Sequence, residues 1–285
     1  MWFIAAAVLC GCSRPSDENL GLTSRGGSTQ VDVQKLTQPP ELARALGQPG
    51  AGFDAQLGAR HVEASGTLKL EPPGKPAEQL DESYRLDSDG KGALHLMHES
   101  SRGSGFEAVV TGGELTVRPR GGRFVRHKPE GDEVDRLRAT VEGVAADYVK
   151  LLERWLQVHE VGHSQVAGRA ARKLKLSAAP QPAPAPKETD PGKRWRDTIA
   201  VRFVDGELDV DEATGAPLAV RLDAAYSFQR DNGNGEKSSP FAVTLSYKSA
   251  MTTTPEAIVA PADAVIAPRR SRPMLDLKEL LEGLK

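Results

Sequence analysis

His159-Glu160-Val161-Gly162-His163 has the residue types and the spacing of a zinc site. On a helix, histidines four residues apart share one face and can ligate zinc, and the adjacent Glu160 can act as general base on a zinc-bound water. The stripe that ends at Trp155 keeps Val158 in register, so a continuous helix through the motif is one reading. A catalytic zinc also needs a third protein ligand. The remaining histidines, His61, His95, His98 and His127, all lie upstream on expected strands or turns. Gly162 costs about 1 kcal/mol inside a helix. Val158, Val161 and Val166 suit a strand. The first reading is therefore a helix that ends at Leu156 to Gln157 and a polar edge strand after it, with no cofactor. A zinc-dependent hydrolase using His159, Glu160 and His163 is the alternative.

The pentapeptide resembles the zincin metallopeptidase motif. The longer form of that motif would place Gly and His three and six residues after His163, where Val166 and Arg169 stand. The second reactive residue is Cys12. Trp2 to Leu9 form an unbroken apolar run, too short to span a membrane, followed by Leu9-Cys10-Gly11-Cys12. The run matches the apolar core of a secretion signal. The tetrapeptide resembles the lipobox of bacterial lipoproteins, in which a small residue precedes the cleaved bond and the next residue is a Cys whose thiolate takes the diacylglyceryl group. The resemblance implies a signal peptide over 1–11 and a lipid on Cys12 that holds the chain to a membrane. Cys10 would leave with the leader, so no disulfide forms. Ser13 after Cys12 implies sorting to the outer membrane, facing the periplasm. No Lys or Arg precedes the apolar run, which leaves a start upstream of Met1 as an alternative.

Other clusters are weaker. Asp205, Glu207, Asp209, Asp211 and Glu212 lack the spacing and the central Gly of an EF-hand loop and read as a solvated turn. Arg269-Arg270-Ser271-Arg272 offers a docking element with the tail, short of the usual lipid-binding cluster. The net charge is −2 with both signs interspersed, so nucleic-acid binding is excluded. No stretch reaches the roughly 18 apolar residues of a spanning helix. Apolar residues make up 39% and aromatics only 5%, so the core relies on Leu, Val and Ala.

The elements that position these residues follow from periodicity. Residues 12–40 are polar and read as a flexible tether behind the lipidated Cys. A short helix is expected at Glu41 to Leu46, ended by Gly47. From Arg60 to Phe124 the apolar period is two, broken by turn signals at Pro72-Pro73-Gly74, Asp87 to Gly90, Gly112-Gly113 and Gly121-Gly122. Val134, Leu137, Val141, Val144, Tyr148, Leu151 and Trp155 are spaced by three or four and predict one helix over 132–156. Strands resume at Val166 to Leu176. A Pro-rich loop follows over 178–192. Ile199 to Phe203 form a strand that turns at Val204-Asp205-Gly206-Glu207. The clearest alternation runs from Leu218 to Phe228, and a last strand from Phe241 to Tyr247. The expected domain covers 41–255. A C-terminal extension over 256–285 carries a short amphipathic helix from Met274 to Leu284.

The fold class is therefore mainly β (α+β): a curved antiparallel sheet or half-barrel of about 9–10 strands, with one long helix inserted and a C-terminal helix. Val166-Ala167-Gly168-Arg169, opening a strand after the helix, and the stretch Gly206 to Leu218 resemble the LolA/LolB-like periplasmic lipoprotein-carrier superfamily. That resemblance implies a sheet and helices that hold acyl chains. A sheet of this size presents more apolar surface than one helix about 37 Å long covers. The expected function is a non-enzymatic, membrane-anchored envelope lipoprotein that binds or carries a lipid acyl chain or another hydrophobic ligand. The candidate groove comprises Tyr148, Leu151, Trp155, Leu222 and Tyr226. A structural or assembly lipoprotein with a packed core is the further alternative. No protein partner is named by the sequence.

Overall fold

The structure is a computed structural model that describes residues 33–48, 51–184, 187–230 and 237–267. The expected signal peptide over 1–11, Cys12 and the expected C-terminal helix lie outside the described residues. The protein is built on one open sheet of twelve strands, in the order β12-β6-β5-β4-β3-β2-β1-β11-β10-β9-β8-β7. The strands are β1 (Arg60–Glu71), β2 (Glu78–Ser88), β3 (Leu94–Ser100), β4 (Gly105–Thr111), β5 (Glu114–Pro119), β6 (Val125–His127), β7 (Leu156–Val166), β8 (Arg169–Ala178), β9 (Ala200–Asp211), β10 (Pro217–Phe228), β11 (Phe241–Thr252) and β12 (Val265–Ile266). All neighbours are antiparallel except β12 with β6. The expected nine or ten strands become twelve because β6 and β12 are too short to show a period.

Alternation decides which face is covered. Leu86, Leu96, Ala108 and Leu115 lie on the inner face of β2 to β5 and are fully buried, as are Leu174, Leu208 and Leu222 across β8 to β10. The outer face of the second half is an ionic ladder. Lys175 meets Asp205 at 2.6 Å, Lys173 meets Glu207 at 3.0 Å, and Arg221 bridges to Asp205 and Asp223, both at 2.9 Å. Such exposed pairs contribute little stability each, but they keep this face wet and fix which side is inner. Residues 205–211 are therefore not a turn, and only Glu212 of that cluster lies in one: β9 runs straight through Gly206. A Cβ there would lie 3.1 Å from Leu176 and 3.0 Å from the Arg221 carbonyl oxygen, so the glycine leaves space for Leu176.

Four helices cover the inner face: α1 (Pro39–Leu46), α2 (Ala51–Leu57), α3 (Glu133–Glu142) and α4 (Val144–Leu152). The single helix expected over 132–156 is two helices and a 3₁₀ turn, Glu153–Trp155. The break falls at Gly143, where a Cβ would lie 2.5 Å from the Ala139 carbonyl oxygen. α1 begins two residues before the expected short helix, with Pro at its first turn, and buries Leu42 and Leu46. Leu36 before it is 1% exposed, so packing starts within the span expected to be tether. Gly47 sits against Ala146, which sets the end of α1 beside the start of α4. The two helices therefore run antiparallel, with α1 also touching the 3₁₀ turn Glu153–Trp155 at the end of α4. α1 and Leu36 cover inner-face surface that the inserted helix alone leaves bare.

The hairpin connections gather at two rims. Connections 72–77, 101–104 and 120–124, with the described residues of 179–199 and 229–240, form the Pro-rich rim. Connections 89–93, 112–113, 128–132, 167–168 and 212–216 form the opposite rim, where β1 starts at Arg60. After β11 the chain straps across the outer face. The Glu256 N–H donates to Asp87 Oδ1 at 2.8 Å, Arg126 donates to the Pro261 carbonyl at 3.2 Å, and β12 then pairs with β6. Asp87 is fully buried beneath this strap, with His61 Nδ1 2.8 Å from its Oδ1.

Candidate functional site

A cleft opens at the Arg60 rim, between the helices and β1, β10 and β11. It encloses about 70 Å³. Phe53 and Leu57 of α2 close it from above, Val141 and Ala145 form one side, and Val62 and Val220 belong to its floor. Eight separate elements, α1 to α4 with β1, β2, β10 and β11, contribute to its lining. A single water needs about 10–15 Å³ of such space, so the cleft has room for several small groups or the end of an alkyl chain.

Its polar end is a closed ring of charges. Arg138 Nη1 and Nη2 donate to the two carboxylate oxygens of Asp54 at 2.6 and 2.7 Å. Arg138 Nε donates to Glu142 at 2.6 Å. Arg60 lies 2.7 Å from Asp54 and 3.2 Å from Glu142. Both guanidinium side chains are 3% exposed. Burial alone would raise the Asp54 carboxyl, but the hydrogen bonds and charges of Arg138, then Arg60, outweigh it and hold the group below its ordinary value. α2 is thus a short helix over an apolar cleft, and Asp54 is the residue that holds it down.

All four tyrosines of the chain lie on the inner face, Tyr84 and Tyr247 lining the cleft itself. Tyr148 meets Tyr247 edge to face at 5.7 Å, above Gly66, where a Cβ would come within 3.5 Å of the Tyr148 hydroxyl. Tyr84 stacks on His98 at 4.8 Å, and His98 Nε2 lies 3.0 Å from Glu82 Oε1. Burial raises the Tyr247 hydroxyl to about 12, so it stays protonated and neutral.

The expected groove residues are packed side by side. Leu222 and Tyr226 share the inner face of β10 and are fully or nearly buried, Tyr148 covers Gly66, and Leu151 and Trp155 are half-buried against the same core. None of the five lines the cleft, which opens instead beside Ala145. The signal that could have found it is the spacing Phe53-x-x-x-Leu57 around Asp54, a short apolar helix face that faces the buried Arg60 and Arg138.

His159, Glu160 and His163 lie in β7, the sheet's edge strand, and all three are exposed. The pairing skips Val161 between Glu160 and Gly162, and Gly162 has φ of 142°, a bulge that a helix reading does not contain. Glu160 is ion-paired with Arg172, and His163 Nδ1 lies 2.6 Å from Glu212. Among the described residues no three His, Cys, Asp or Glu side chains converge to hold a metal ion.

No family model and no curated protein sequence matches the chain. Solved structures similar to it include a LolA superfamily protein from Nitrosomonas europaea, at 11% identity over 74% of this chain and 93% of that one, with a TM-score of 0.22. LprF from Mycobacterium bovis is similar at 14% identity over 79% and 98%, with a TM-score of 0.26. The lipoprotein LppX from Mycobacterium tuberculosis is similar at 10% identity over 78% and 99%, with a TM-score of 0.24.

Proposed function

We propose that this chain is a non-enzymatic envelope lipoprotein that binds a lipid acyl chain or a similar apolar ligand between its sheet and its helices. Cys12 carries the membrane anchor, and Ser13 beside it fits the outer membrane. The observation that carries the reading is the cleft at the Arg60 rim, apolar along its walls and closed by a lid, α2, whose Phe53 and Leu57 cover it and whose Asp54 is fastened by a polar clamp. Apolar pockets with a few placed polar groups are the usual form of a site for hydrophobic ligands. The enclosed space takes the end of a chain, and lifting α2 extends it. The hydrolase reading loses its helix, and its glutamate is occupied by Arg172.

Displacement of a fluorescent fatty acid from the full-length protein tests the proposal. Binding is expected at micromolar concentration, and Ala145→Phe, which fills the cleft, is expected to weaken it by about tenfold or more. A wild-type protein that binds no fatty acid at these concentrations points to the assembly scaffold instead.

A further inference from the structure

The two rims carry opposite charge. The five connections of the Pro-rich rim hold ten Lys or Arg against five Asp or Glu, whereas the five at the Arg60 rim hold two against four. Much of this positive charge is unpaired. Lys75, Arg194 and Lys237 are exposed, and none has an ion-pair partner among the described residues. Arg230 is half-buried and meets aromatic faces rather than a carboxylate: its guanidinium carbon lies 5.3 Å from the Phe241 ring centre and 5.9 Å from that of Phe228. Trp195, half-buried, packs against Phe228 at 4.9 Å on the same rim, with Arg194 and Arg196 on either side of it in sequence. The connections are contiguous: Thr198 Oγ1 donates to the Gln229 carbonyl at 3.0 Å, and β10, β11, β1 and β2 follow in order.

We infer that the Pro-rich rim docks on an anionic phospholipid surface. Half-buried aromatic rings among cations are the pattern of a membrane interface, and each Lys or Arg held near such a surface adds attraction that salt screens. An acidic protein would meet the same charge, but the position of the chain's start favours the bilayer. α1 runs antiparallel to α4 and touches the Glu153–Trp155 turn, which bonds to Ala179 and Ala183 of this rim, so the chain that leads from Cys12 reaches the domain on this side. The inference takes from the proposed function only that anchor. Docked this way, the cleft at the Arg60 rim faces away from the membrane and takes its ligand from the aqueous side.

The test uses the full-length Cys12→Ala chain, which carries no covalent lipid, floated with vesicles of phosphatidylcholine alone or mixed equally with phosphatidylglycerol. The apolar leader is common to every sample. The expected result is binding to the anionic vesicles, at least about tenfold weaker on neutral ones and lost at about 0.5 M salt. Lys75→Glu/Arg194→Glu/Lys237→Glu, all at exposed positions, should weaken it by about tenfold or more, and Arg230→Gln by about threefold. Lys91→Glu/Lys128→Glu/Arg136→Glu, an equal charge change on the other side, should leave it within about twofold. No binding, equal binding to both vesicles, or equal loss in the two triple variants overturns the inference. Fatty-acid displacement in the same variants reads the cleft separately and should not change, so a failure of either reading shows in its own assay.

Discussion

Arg138 grips Asp54 through both terminal nitrogens across 84 positions of sequence, and this pair, with Arg60 and Glu142, fastens α2 over the cleft. Removing one member of a buried ionic group leaves its partners charged and unpaired, which costs more than the group contributed. Asp54→Ala should therefore lower the unfolding free energy by about 2–4 kcal/mol in urea denaturation. It should also speed fatty-acid association, since the lid loses its fastening. A variant that binds the ligand at the wild-type rate would show that α2 does not gate the cleft.

The same carboxylate sets part of the acid response. Asp54, Asp87 and Asp211 all lie below their ordinary value of 3.8. In each, burial pushes upward and is outweighed: by Arg138 and Arg60 at Asp54, by the Glu256 N–H, His61 and Arg85 at Asp87, and by Arg169 and Thr214 at Asp211. The unfolded chain thus takes up these protons first as pH falls. Their contribution is complete well above 3.8 and is lost as pH drops through the lower folded values. Stability measured by thermal melting should fall steeply below about pH 4. In Asp87→Asn that slope should be shallower and the protein less stable at neutral pH; an unchanged slope would assign the acid response to other groups.

The alternating strands were legible because one face is apolar and the other an ionic ladder, so period two survives in β1 to β5, β8, β10 and β11. Gly206 misleads. Between Asp205 and Glu207 it resembles a turn, yet it is there because Leu176 occupies the space of its side chain. Gly206→Val should destabilise by about 2 kcal/mol through overpacking, and adding Leu176→Ala should recover part of the loss. A substitution without effect would return Gly206 to the status of a turn residue. The lid carries a weak signal in the sequence: α2 has seven residues with only Phe53 and Leu57 on one apolar face, and the ionic partners of its Asp54, Arg138 and Arg60, come beside it only in the fold. The cleft likewise draws on eight elements, and apart from the Phe53-x-x-x-Leu57 spacing none of them carries a pattern that marks it.

Cys12 lies outside the described residues, and its role rests on chemistry. A thiolate after a small residue at the end of an apolar leader is a good acceptor for a diacylglyceryl group. Palmitate fed to a bacterial host that expresses the chain should label the wild type and not Cys12→Ala, and the mature N-terminus should begin at residue 12. Label that persists in the variant would assign the lipid elsewhere or remove it.

Zinc is the last prediction, and it turns on backbone geometry. Histidines four apart converge on a metal only when a helix turns them onto one face at a short rise. In β7 they stand four positions apart, with the bulge at Val161 between them, and at a rise of about 3.3 Å per residue a regular strand would set their Cα atoms on the order of 13 Å apart. Their neighbours are also engaged: His163 with Glu212 and Glu160 with Arg172. The purified protein should therefore hold well under one zinc per chain by elemental analysis, and added zinc should not raise its melting temperature. About one zinc per chain, lost in both His159→Ala and His163→Ala, would mean that the edge strand refolds around the metal. The hydrolase reading would then stand, because only a helical turn brings those two rings and Glu160 to a common ion.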